Sequence, residues 1–90
     1  MAKVRVPRKG VTQAELATVL SRRLAGFEVA ADDKGVVARR SPLTAAVVRI
    51  THVPGATVFR VRGVGMPIAS LGTARAVAEA LRRSPEFRSL

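Results

Sequence analysis

The sequence predicts an α+β fold: a two-layer sandwich of order α-β-β-β-β-α, in which a four-stranded antiparallel meander carries both helices on one face. Three observations predict it. Residues 13–25 and 70–83 carry apolar side chains at helical spacing. Between them lie four short runs rich in β-branched residues that alternate in polarity. Those runs are joined by Asp32-Asp33-Lys34-Gly35, Ser41-Pro42 and Pro54-Gly55, connections so short that consecutive strands must lie side by side and antiparallel. Ninety residues suffice for one modest core, and a composition of 48% hydrophobic and 24% charged residues is that of a folded chain rather than a disordered one.

Residues 1–10 alternate basic and apolar (Lys3, Val4, Arg5, Val6) before Pro7, Arg8, Lys9 and Gly10. They read as a basic N-terminal arm or a short edge strand, since Pro7 confines any pairing to an edge; the arm is the preferred reading. The domain proper is expected over 11–84. Thr12 and Glu15 have capping-box spacing, with Val11 and Leu16 placed as a hydrophobic staple, and the carboxylate of Glu15 is thereby assigned to the cap. Leu16, Val19, Leu20 and Leu24 recur on one helical face until Gly26, a residue suited to a left-handed C-terminal cap.

Phe27, Val29 and Ala31 then alternate with Glu28 and Ala30 up to the turn at Asp32–Gly35, and Val36 to Arg40 return, with Glu28 opposite Arg39. The central hairpin, Ala45 to Arg62, turns at Pro54-Gly55: Pro presets φ for the second turn position and Gly supplies the positive φ of the third. A turn centred there sets Val48 against Val61 and Ile50 against Phe59 on the packed side, and Arg49 against Arg60 on the other, with Arg62 sharing that side. Gly63 to Pro67 connect to the second helix, whose apolar stripe is Leu71, Ala74, Val77, Ala78 and Leu81 and whose other side offers an Arg75–Glu79 pair. Ser84-Pro85 ends it, leaving 85–90 as a frayed tail.

Several chemistries are excluded or disfavoured by what the chain contains. It has no cysteine, which removes disulfides, thiol catalysis and cysteine-bound zinc or iron–sulfur clusters, and which suits a cytoplasmic location. No apolar run approaches the roughly 20 residues that cross a bilayer, and the basic start lacks the apolar segment of a signal peptide. Gly63-Val64-Gly65 meets Ile68 where a dinucleotide fingerprint needs its third glycine. His52 is the single histidine, expected on the packed side opposite Thr57, and both aspartates sit in one turn, so neither a metal site nor a Ser–His–Asp arrangement assembles. We therefore expect no enzyme, cofactor or metal.

Charge is the remaining signal. Sixteen Lys and Arg against six Asp and Glu give +10, a balance that favours phosphate backbones, anionic lipid surfaces or an acidic protein. The expected anion-binding set is Arg39, Arg49, Arg60 and Arg62 on the open sheet face, with Lys3, Arg5, Arg8 and Lys9 on the arm. Arg outnumbers Lys thirteen to three, an excess that GC-rich coding would also produce, and a solvated arginine face is the competing reading. With three Phe and neither Trp nor Tyr, base stacking has little to work with.

The element order is similar to that of a double-stranded-RNA-binding domain (helix, three strands, helix) but adds a strand. Moreover, Leu71-Gly72-Thr73-Ala74-Arg75 lacks the lysine cluster such domains place at the start of their second helix. No family is assigned. Two functions are carried forward: a small non-catalytic module that binds nucleic acid through phosphates, and a protein-interaction or self-association module in which Val37, Val47, Thr51 and Val58 share the arginine face and dock an acidic partner or a second copy. Peripheral membrane attachment ranks below both, because no helix sets a basic face against bulky apolar residues.

Overall fold

The first ten residues hold a strand that the four-strand expectation lacks. In the computed structural model, which describes residues 2–88, the chain runs β1 (Ala2–Val6), α1 (Gln13–Arg23), β2 (Glu28–Asp32), β3 (Gly35–Ser41), β4 (Thr44–Val53), β5 (Ala56–Gly65) and α2 (Pro67–Arg83), and closes with a 3₁₀ turn at Pro85–Phe87. The sheet has five strands in the order β1-β5-β4-β3-β2, each antiparallel to its neighbours. The arm reading is thus corrected. Val4 and Val6 are buried, and that burial holds β1 against β5 as an edge strand which ends at Pro7. Residue 1 and the last two of the expected tail, Ser89 and Leu90, lie outside the described residues.

The central hairpin has the register its turn demands. Val48 pairs with Val61, Arg49 with Arg60, Ile50 with Phe59 and His52 with Thr57, and Gly55 carries a φ of 77°. The Asp32 carboxylate accepts from the backbone N–H of Lys34 (2.7 Å) and of Gly35 (3.1 Å), which closes the β2–β3 turn and leaves Glu28 opposite Arg39.

One buried cluster unites both helices with alternate residues of the sheet. Leu16, Val19, Leu20 and Leu24 of α1 and the segment after it join Ala74, Val77, Ala78 and Leu81 of α2. With them lie Val4 and Val6, Val36 and Ala38, Ala46 and Val48, and Phe59 and Val61. Full burial of a Val, Leu or Phe side chain stabilises by about 1.5–3 kcal/mol, so this cluster is the main source of folding energy. The N-terminus of α1 is capped by Thr12, whose hydroxyl accepts from Glu15 N–H at 3.2 Å. The return half of the capping box is replaced by an ion pair, because the Glu15 carboxylate turns to Arg8.

Four expectations about α2 and the tail need correction. The helix begins at Pro67, where Pro is favoured in the first turn, and not at Ser70. It buries Ser70 and Thr73 where Leu71 was expected, and Leu71 is left exposed. The cause is close approach: a Cβ on Gly63 would come within 2.4 Å of the Ser70 carbonyl oxygen, so only small residues fit where α2 meets β5. The Arg75–Glu79 pair is also replaced, because Glu79 pairs with Arg82 at 2.9 Å. Residues 85–88 are ordered against the fold: Phe87 is fully buried with its ring centroid 5.1 Å from that of Phe59, and Glu86 pairs with Arg23 at 2.9 Å.

Candidate anion-binding face

Side chains alternate across a strand, so the register alone decides which cations share a face. Reading across the sheet, Lys3 of β1 lies opposite Arg60 of β5, which lies opposite Arg49 of β4. One step of two residues along β5, Arg62 lies opposite Val47, which in turn faces Val37 of β3; one step the other way, Val58 stands between Arg5 and Thr51. Neighbouring strands are about 4.8 Å apart and alternate residues of a strand about 6.8 Å apart. Lys3, Arg5, Arg49, Arg60 and Arg62 therefore form one contiguous basic field spanning three strands. All five are exposed.

Within that field, Arg49, Arg60 and Arg62 line a cleft of about 100 Å³ together with Val47. The half-buried Val47 forms an apolar floor between three guanidinium groups. None of the three is in an ion pair among the described residues; the carboxylates found in ion pairs, Glu15, Glu79 and Glu86, pair with Arg8, Arg23, Arg82 and Arg83. A guanidinium carries its charge at any physiological pH and offers two parallel donors to a carboxylate or phosphate. Three of them around one depression can each take a phosphate of a polyanion laid across this face.

The other expected residues are placed differently. Arg39 is exposed on β3, in the row that continues through Ala45 to Val64, two strands across from Arg62 and one step along. It faces Glu28 in register but forms no ion pair with it among the described residues. Arg8 does not join the field. Pro7 turns the chain out of the sheet, and Arg8 pairs with Glu15 and donates to the Glu86 carbonyl at 3.1 Å. Lys9 is exposed on the same connection, outside any strand.

That connection is tied down by two residues that sequence reasoning left without a task. Thr57 Oγ1 donates to the Arg8 carbonyl at 2.7 Å, and His52 Nε2 lies 3.0 Å from the Val11 carbonyl, to which its N–H donates in that tautomer. His52 is exposed, and its contact with Val11 holds the loop. Among the described residues no three His, Cys, Asp or Glu gather as a metal site, and no helix is long and apolar enough to cross a membrane.

Val47 as the floor of the arginine cleft is what sequence reasoning missed; its position opposite Arg62 was the signal. No protein-family model, curated protein or solved structure matches this chain.

Proposed function

We propose that the protein is a small non-catalytic module that binds nucleic acid through its phosphates, using Arg49, Arg60 and Arg62 around Val47 with Lys3 and Arg5 beside them. The observation that carries this reading is the gathering in one cleft of about 100 Å³ of three arginines that form no ion pair among the described residues. In this reading the fold is a two-layer sandwich with both helices covering the side of the sheet opposite the arginines, which leaves the basic side open to a long polyanion. A cytoplasmic location belongs to the same proposal. Phosphate contact is favoured over base readout because Phe59 and Phe87 are buried and Phe27 is half-buried, which leaves no aromatic platform on the basic side. Arg39 extends the field toward β3, whereas Arg8 is engaged by Glu15 and Glu86.

Five phosphate contacts would make log affinity for duplex DNA fall by about 4.5 per decade of salt, at about 0.9 per contact. The test measures binding of nuclease-treated protein to duplex and single-stranded DNA and RNA across a salt series, beside an Arg49→Ala/Arg60→Ala variant. Loss of two contacts lowers the duplex slope to about 2.7 and weakens different sequences alike. A variant with the slope and affinity of the wild type would reject this face as the binding surface.

A second reading is supported by the half-buried Val37, Val47, Thr51 and Val58, which share the basic face. They would suit docking of an acidic protein or a second copy, with a complex that survives moderate salt.

A further inference from the structure

Large apolar side chains are exposed at one end of the molecule. Leu43, Val64, Met66, Ile68 and Leu71 are all open to solvent, from 42% for Val64 to 87% for Ile68. Leu43 lies in the β3–β4 turn, Val64 near the end of β5, Met66 caps α2, and Ile68 and Leu71 are three residues apart on its first turns. The two connections are joined: Met66 N–H donates to the Leu43 carbonyl at 3.1 Å, and Thr44 pairs with Gly65. Scattered apolar residues need no explanation, but these five lie on connections that meet at one end, and their exposed area together is on the order of several hundred Å², the size at which apolar surface has a use.

The surroundings say what kind of partner fits. Arg62 is two residues before Val64 on the same side of β5, Arg39 lies in the Val64 row, and Arg40 follows at the end of β3, 5.9 Å above the Phe27 ring. The first turn of α2 holds no acidic residue. Among the acidic residues, Glu28 lies three strands from Val64 in the same row, whereas Asp32 and Asp33 form the turn at the opposite end of β2. A second copy of so basic a chain would meet this collar with like charge. Ile68, at 87% exposure, stands proud of its neighbours rather than lining a groove, so a rigid partner would need a matching hole. A bilayer needs none: it admits protruding apolar side chains below its headgroups while the flanking arginines meet lipid phosphates.

We infer that the end of the molecule formed by Leu43, Val64, Met66, Ile68 and Leu71 inserts into the surface of an anionic phospholipid bilayer, with Arg39, Arg40 and Arg62 on the headgroups. This attachment is peripheral. It needs no amphipathic helix, because the apolar tip is assembled from two turns and a helix start that meet only in the folded chain. It is also independent of Arg49 and Arg60.

The test must separate insertion from the adsorption any basic protein shows. Co-sedimentation with vesicles of equal phosphatidylglycerol and phosphatidylcholine is measured at low salt and at 1 M salt, where the screening length is about 3 Å. Wild type and Arg49→Ala/Arg60→Ala should retain binding at high salt, and Ile68→Ser/Leu71→Ser should lose about a hundredfold in partitioning, about tenfold for each partly buried side chain. The chain has no tryptophan, so Ile68→Trp provides a single emitter. Its emission should shift to the blue on these vesicles and be quenched by brominated acyl chains. Emission unchanged on bound vesicles, or binding that salt abolishes equally in every variant, would overturn insertion. A wild type that sediments as a dimer and an Ile68→Ser/Leu71→Ser variant that sediments as a monomer, with vesicle binding the same in both, would instead assign the patch to a second copy.

Discussion

Arg60 stands between Lys3 and Arg49, directly opposite each. A like-charge pair in this relation destabilises a sheet by about 0.2–1 kcal/mol, and Arg60 takes part in two. Arg60→Thr removes both repulsions and introduces a residue that suits an exposed strand position, so it should raise stability by about 1 kcal/mol at low salt. For a chain of this size that is a rise in Tm of about 4–8 °C. Because the protein has neither Trp nor Tyr, unfolding is followed by far-ultraviolet circular dichroism, with thermal and urea transitions at low and high salt. The gain should shrink at 1 M salt, since a screening length of about 3 Å is shorter than the strand spacing. The same substitution should weaken polyanion binding. Stability gained where binding is lost would mark Arg60 as a residue held against the interest of the fold. A Tm that falls, or a gain as large at 1 M salt as at low salt, would refute the electrostatic reasoning.

Three further outcomes test the core, the α2 contact and the tail. Phe87→Ala should cost about 3–5 kcal/mol, seen as a lower urea midpoint with unchanged slope, because it empties a fully buried site against Phe59. Thr73 Oγ1 donates to the Ala69 carbonyl (3.1 Å), so in the buried 2.5 Å contact Thr44 is the donor. Thr73→Val therefore strands the Thr44 hydroxyl and should cost about 1–3 kcal/mol, more than Thr44→Val, which leaves Thr73 satisfied; the two are compared by urea unfolding. The carboxyl of Glu86 is held below the usual glutamate range, first by a backbone N–H and then by Arg23. A depressed folded value gives stability above the unfolded value that is lost as pH falls through the folded one, so Glu86→Gln should lower Tm at neutral pH and converge with wild type in acid.

What was legible in the sequence was whatever a local rule determines. Pro54-Gly55 locates a turn, the turn sets the register, and period two then puts Arg49, Arg60 and Arg62 on one side without further information. The capping threonine and the α1 stripe are local in the same sense. The missed features depend on partners distant in the chain. Val4 and Val6 look the same in an arm as in a strand until β5, more than 50 residues later, offers an edge. Phe87 follows a helix-ending proline and belongs to no periodic pattern, so only the space beside Phe59 accounts for its burial. Leu71 fits the helical stripe as well as Ser70 does, and the choice is made by the absent side chain at Gly63, which lets α2 approach too closely for leucine.

The same dependence decides which of the eight expected cations share one face. Arg5 and Arg8 are three residues apart and chemically identical, yet β1 carries Arg5 onto the face of Arg49 and Arg60 while Pro7 sends Arg8 towards Glu15 and Glu86. Docking of β1 also brings Lys3 beside Arg60, so an edge strand held by two buried valines raises the charge density where the hairpin is already self-repelling. A fold selected for stability alone would put a carboxylate at position 3 or 5, where it would face Arg60 or flank it. Lysine and arginine at both places, with the carboxylates of Glu15, Glu79 and Glu86 engaged elsewhere, leave the repulsion without an ion pair to answer it among the described residues, and a polyanion laid across β1, β5 and β4 would answer it.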